Sequence, residues 1–239
     1  MIDRLPILAL LVLASLPVAA AQPAAKRNYS VTSFDRIRID GPYEVKLKTN
    51  VPPFARASGT PSSIDGVSIG VEGRTLVVRS GSNGWGGYPG EGRGPVTIEV
   101  GTHELQSAYI NGAGALDIDR VRGLGFSVDI NGPGMARVEA ADVDQLKIGI
   151  TGAGTARVAG RAKKLTAIVR GTSSFEAENL KSNDAVIGAE GPSVVRASVS
   201  NSAKVDASGL ASVTLTGSPA CELNTKGSAR VVGCKAARR

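Results

Sequence analysis

Five times along the second half of the chain a glycine is preceded six, four and two positions earlier by apolar residues. Counting back from Gly132, Gly152, Gly171, Gly191 and Gly209 gives three columns. The first is Phe126, Leu146, Leu165, Ala185 and Ala203; the second is Val128, Ile148, Ala167, Ile187 and Val205; the third is Ile130, Ile150, Val169, Ala189 and Ala207. Counting forward from Gly112, Gly132, Gly152, Gly171 and Gly191 gives two more: Leu116, Ala136, Ala156, Phe175 and Val195, then Ile118, Val138, Val158, Ala177 and Ala197. From Gly112 to Gly209 the glycines stand 20, 20, 19, 20 and 18 residues apart. Apolar residues at every second position predict strands with one buried face, since successive strand side chains point to opposite sides. A glycine at a fixed point in each repeat predicts a bend that needs positive φ or close stacking on the next turn.

Two short strands per repeat, with no helical period between them, predict coils of an all-β solenoid. One coil buries too few apolar side chains to offset the entropy of ordering its twenty residues, so the coils must stack. At about 4.8 Å per coil, six of them make a rod roughly 29 Å long. Between Val205 and Gly217 a connecting turn is missing, which reads as a shortened terminal coil in which Val213 and Leu215 serve two turns at once.

Residues 31–101 hold strand-like runs at Val45–Leu47, Val67–Val71, Leu76–Val78 and Val96–Val100, but no 20-residue period. They predict an irregular opening that covers one end of the core. Between Val78 and Val96 lies RSGSNGWGGYPGEGRGP, seven glycines in seventeen residues, with the chain's one tryptophan. Loops this long inside a domain are either functional or disordered. Trp85 and Tyr88, with Arg93, form a candidate binding loop, because aromatic rings can stack on sugars or on a partner protein; the alternative is that Trp85 folds back onto the rod.

Residues 1–21 carry Arg4, an apolar run from Leu5 to Val18 and a small-residue ending at Ala19–Ala21, the pattern of a secretory signal cleaved before Gln22. A membrane anchor is the competing reading, but the run is interrupted by Pro6 and Pro17 and is shorter than the roughly 20 residues a span needs. The expected plan is a signal peptide at 1–21, an N-terminal segment at 22–33 and a single β-domain at 34–234. Within that domain the opening is 34–101 and the coils 102–234, and a basic tail follows at 235–239. Export puts the two cysteines, Cys221 and Cys234, in an oxidising compartment, where a disulfide locking the last turn is expected and two free buried thiols are the alternative. The net charge of +7 favours anionic surfaces without naming one. Nucleic acid is not an expected partner of an exported chain.

The NGAG, NGPG and TGAG turns, the opening FDRIRIDGPYEVKLKTN with its Phe34, Ile37, Ile39, Gly41, Tyr43, Val45 and Leu47, and the closing SVTLTGSP resemble the bacterial head GIN domain family over about Phe34 to Cys234. That family is described as auto-transporter adhesin heads. The resemblance implies a right-handed β-helix-like body on an exported protein, working in the periplasm or at the outer surface.

Some β-helices degrade pectin, and the outward acids Asp117, Asp119 and Asp129 are the candidates for the paired carboxylates that glycoside hydrolysis needs. Stacking places Asp117 in line with Arg137, Arg157, Glu176 and Arg196, and Asp119 in line with Glu139, Ala159, Glu178 and Ser198. Mixed ladders of this kind pair and stay solvated. His103 has no histidine or cysteine companions at ligand spacing, so no metal is expected. The glycine-rich turns lack the following helix that makes a phosphate site, and no cofactor is expected. The chain is therefore expected to bind rather than catalyse, with a glycan or an envelope protein as partner and polar turn columns such as Asn111, Asn131, Thr151, Arg170, Glu190 and Ser208 on display. A pectinase-like enzyme and a structural protein that self-associates into homo-oligomers are the rival readings.

Overall fold

The structure is a computed structural model that describes residues 25–81 and 95–235. Trp85, Tyr88, Arg93 and the signal-like segment 1–21 lie outside the described residues. Five long bent strands, β9 (Ala115–Gly132), β10 (Met135–Gly152), β11 (Thr155–Gly171), β12 (Ser174–Glu190) and β13 (Val194–Gly209), each make one coil between glycine turns. They stack in parallel, and the register is the one the columns predict: Phe126 lies on Leu146, Ile130 on Ile150, Leu116 on Ala136 and Gly132 on Gly152. The protein is a β-solenoid of about 6 turns. All five apolar columns are buried. The turn glycines Gly112, Gly132, Gly152, Gly171, Gly191 and Gly209 have φ between +74° and +111°.

Each coil has a post-turn face, a short side and a pre-turn face. The short side carries buried residues that the even-numbered count passes over. Eleven positions before the turn glycines lie buried Val121, Ala141 and Leu180 with half-buried Gly160 in line, joined across the coils by pairing of Ala141 with Val121 and with Gly160, and of Gly160 with Leu180. The odd offset records a bend, because the chain turns a corner after Ile118 and its equivalents and changes which parity faces inward. A register shift on this side also corrects the Asp119 column: Ser198 lies beside Lys181 rather than Glu178.

The N-terminal third is more regular than its sequence suggests. Strands β2 (Arg36–Asp40) and β3 (Glu44–Thr49) form a full coil on the columns, with Ile37 and Ile39 on Ala108 and Ile110 of β8 (Ser107–Asn111), and Val45 and Leu47 on Leu116 and Ile118. Outside it lie β6 (Thr75–Ser80) on β2 and β7 (Thr97–Thr102) on β3. The chain thus builds the second layer, moves out to build the first, and returns to the third. Buried Asp35 holds this crossing, its carboxylate ion-paired with Arg74 and its carbonyl accepting the Gln106 amide at 2.7 Å.

Antiparallel strands finish this end. β4 (Phe54–Gly59) pairs with β7, β1 (Ala25–Tyr29) pairs with β4, and β5 (Val67–Glu72) pairs with β6. β1 thereby joins the sheet, although residues 22–33 read as a separate segment. A short helix, α1 (Pro61–Asp65), buries Ile64 against these strands; Thr60 caps it by accepting the Ser63 amide.

The other end corrects the reading of a shortened coil. After β14 (Ser212–Thr216) the chain forms β15 (Ala220–Gly227), which stacks on residues 202–209, and then β16 (Arg230–Val232), which stacks on β14. Val213 and Leu215 serve only the strand after Gly209, and the next column glycine is Gly227 rather than Gly217. β15 escapes the sequence pattern because, among the described residues, the last coil has a neighbour on one side only, so Cys221, Leu223 and Thr225 stand where earlier coils place buried aliphatics. Cys221 and Cys234 are bonded, with Cα atoms 5.7 Å apart, and close this coil into a covalent ring. Replacing both with serine is expected to lower stability by about 3 kcal/mol. Hydrogen exchange should rise in β15 and β16 while β9–β11 keep their protection; unchanged exchange in the last coil would show that the ring constrains nothing.

Candidate binding surface

Of the three outward acids Asp117, Asp119 and Asp129, Asp119 is held by structural partners. Asp119 accepts from the backbone amides of Thr49 at 3.0 Å and Arg120 at 2.6 Å, which ties β9 to the end of β3. Along the post-turn face Arg157 bonds Glu176 at 2.7 Å, and Arg196 lies 3.8 Å from Glu178. On the short side Arg161 holds Asp142 through two hydrogen bonds, at 2.7 and 3.0 Å, which lowers the carboxylate's pKa and raises that of the guanidinium. Partial burial pushes the Asp129 carboxyl up, because its side chain lies down over Gly149 of the next coil. Glu176 and Glu178 share an open concavity of about 540 Å³ with Glu139, but Arg137 and Arg157 line it too, and Glu176 is engaged by Arg157. Among the described residues no three His, Cys, Asp or Glu side chains gather as a metal site, and His103 is exposed in the turn after β7.

The pre-turn face is a wide sheet running from β6 to β15. The turn column falls in register as Asn111, Asn131, Thr151, Arg170, Glu190 and Ser208. It is held by the bonds its members make: Arg170 lies 3.3 Å from Glu190, and Asn131 donates to the Tyr109 hydroxyl at 2.7 Å. Tyr109 is the aromatic side chain of this face, and the Arg38 guanidinium stacks 5.7 Å from its ring centre. Sequence reasoning missed that pair, since its members are 71 residues apart and meet only because β2 lies on β8.

A concavity lies at the corner where the short side meets this face. It has a volume of about 660 Å³. Glu104 and Gln106 come from the crossing segment before β8, Arg122 and Leu124 from the corner of β9, and Gln145 and Lys147 from β10. Gly123 has φ +135°, and the backbone reversal there leaves Leu124 82 % exposed on the rim. The corner therefore offers two cations, one carboxylate, two amides and an apolar ledge. Such a set can hydrogen-bond a polar ligand from several directions, but it holds one acid where glycoside hydrolysis needs two.

Residues 33–219 match the family model described as "Putative auto-transporter adhesin, head GIN domain". The chain belongs to the head GIN domain family. Solved structures of the same fold include a putative adhesin from Bacteroides fragilis, with TM-score 0.78, 16 % identity, and coverage of 90 % of this chain and 96 % of that one. A putative lipid binding protein from Parabacteroides distasonis superposes with TM-score 0.66 at 16 % identity, covering 88 % and 96 %. A putative adhesin from Parabacteroides merdae gives 0.61 at 14 %, covering 88 % and 95 %. No curated protein matches the chain. In this head GIN protein no helix among the described residues is long and apolar enough to cross a membrane. The family and these neighbours bear the names of adhesins and of a lipid binding protein, none of them that of an enzyme, and the family implies an exported or surface protein.

Proposed function

We propose that the protein is a non-enzymatic binding module of the cell envelope, exported to the periplasm or outer surface, which takes a glycan into the corner groove between Gln106, Arg122, Gln145 and Lys147. The observation that carries this reading is the composition of the groove. Amides and cations converge over an exposed leucine ledge, which suits a ligand with many hydroxyls and some negative charge. The net charge of +7 draws such polyanionic chains to the surface. The groove's single carboxylate argues against hydrolysis.

The test is an array of bacterial and plant polysaccharides probed with the oxidised protein lacking residues 1–21, alongside Gln145→Ala and Trp85→Ala, with product analysis of every hit. Binding without cleavage that falls about tenfold or more in Gln145→Ala supports the groove, that being the cost of about 1.4 kcal/mol in lost hydrogen bonds. Loss in Trp85→Ala alone would move the site to the glycine-rich loop, cleavage would make the protein an enzyme, and no hits at all would favour a protein partner.

A further inference from the structure

The two ends of the rod are finished differently. At the N-terminal end three antiparallel strands and α1 overlie the core. At the C-terminal end the stack stops on two strands, β15 and β16, each paired on one edge only among the described residues. Seven of the eight residues of β15 are exposed, and the exposed large hydrophobics include Leu223 at 47 % and Val232 at 37 % on these two strands, with Leu210 at 67 % on the nearby turn. A bare edge with apolar side chains beside it is a template for pairing with another strand.

The sequence of β15 specifies which strand. It reads ACELNTKG, and laid antiparallel against itself about Asn224 it places Glu222 opposite Lys226 of the partner subunit and Lys226 opposite Glu222 of the partner subunit. In the same register Leu223 faces Thr225 of the partner subunit on the inward side, so both faces of the pairing are matched. Slipping the partner by one residue sets Glu222 against threonine or glycine and Lys226 against cysteine or leucine, which forfeits both ion pairs. Two copies meeting end to end through one shared patch are related by a two-fold axis, which requires antiparallel strands. The disulfide ring holds β15 in place before any partner arrives, which lowers the ordering cost of pairing.

We infer that two copies of this chain associate end to end through β15, making one double-length solenoid with a groove toward each half. The inference does not depend on the glycan reading, since the groove lies coils away from this edge and is assayed separately.

Sedimentation velocity over a concentration series tests it. The oxidised protein is expected to pass from monomer to dimer as concentration rises. Glu222→Lys and Lys226→Glu, each alone, set like charges together in both pairs and should raise the dimer dissociation constant about tenfold or more. Each should keep the wild-type thermal stability, because the Glu222 pair with Lys204, at 2.9 Å, is on the surface and contributes little. Mixed in equal amounts, the two variants place opposite charges across both positions and should recover the dimer. Asn224→Cys, at the two-fold axis, should cross-link to a covalent dimer on oxidation. A wild type that stays monomeric, single variants that dimerise unchanged, a mixture that stays monomeric, or no cross-link would each overturn the proposal.

Discussion

Phe175→Ala is expected to lower the stability of the protein by about 3–5 kcal/mol, the cost of emptying a fully buried aromatic site. Phe175 is the largest of the fully buried side chains, and its register neighbours are Ala156 on one side and Val195 on the other. Ala136 follows Ala156 in the same column, so no large side chain stands next to the cavity on that side to fill it. The loss should also split the stack. In a solenoid each coil contacts only its neighbours, and a weakened interface between β11 and β12 separates the coils before it from those after it. Calorimetry should show the midpoint falling by about 6–20 °C, at about 2–4 °C per kcal/mol, with broadening toward two transitions. Phe175→Leu should recover most of the loss. A midpoint within about 2 °C of wild type for the alanine variant would mean that the column is not packed as described.

The columns that frame Phe175 were legible because an even spacing from a turn glycine survives every coil from β9 to β13. The same spacing hides the short side. Val121, Ala141 and Leu180 are buried eleven residues before the glycine, an odd offset, and half-buried Gly160 and Ser198 interrupt that column, so it is a weaker signal than the even ones. Two parts of the fold were out of reach for other reasons. The β2–β3 coil matches the columns residue for residue, but the excursion from Val51 to Val96 separates it from the repeat, and the layers do not follow chain order. β15 lacks the apolar alternation, and among the described residues no coil covers its outer edge. The groove shares that limit: Glu104, Arg122 and Gln145 are unremarkable in sequence and converge only because the crossing segment before β8 and the Gly123 reversal meet at one corner.

Gly152→Val is expected to destabilise by about 3 kcal/mol or more, because two separate costs fall on one residue. The first is conformational: φ at Gly152 is +111°, where a β-branched side chain is strained by about 1–3 kcal/mol. The second is space, since a Cβ there would lie 3.2 Å from both the Cα and the amide nitrogen of Gly132. Those are backbone atoms, and they cannot move without disturbing the turn bonds on either side, in which Ala153 donates to Gly132 at 3.3 Å and Thr172 donates to Gly152 at 2.8 Å. Two control glycines isolate the cause. Gly188→Ala meets only the tip of the Ile168 side chain, at 3.0 Å, which can rotate away, and Gly70→Ala on β5 meets nothing within 4 Å. Neither has the positive φ of the turn column, so each should change stability by less than about 1 kcal/mol, and Gly70→Ala has the sign of a gain through a less flexible unfolded chain. Urea denaturation of the three variants reads the difference. If Gly152→Val were as stable as the two controls, the glycine column would be a passive repeat marker, and the stacking of turn on turn would need another explanation.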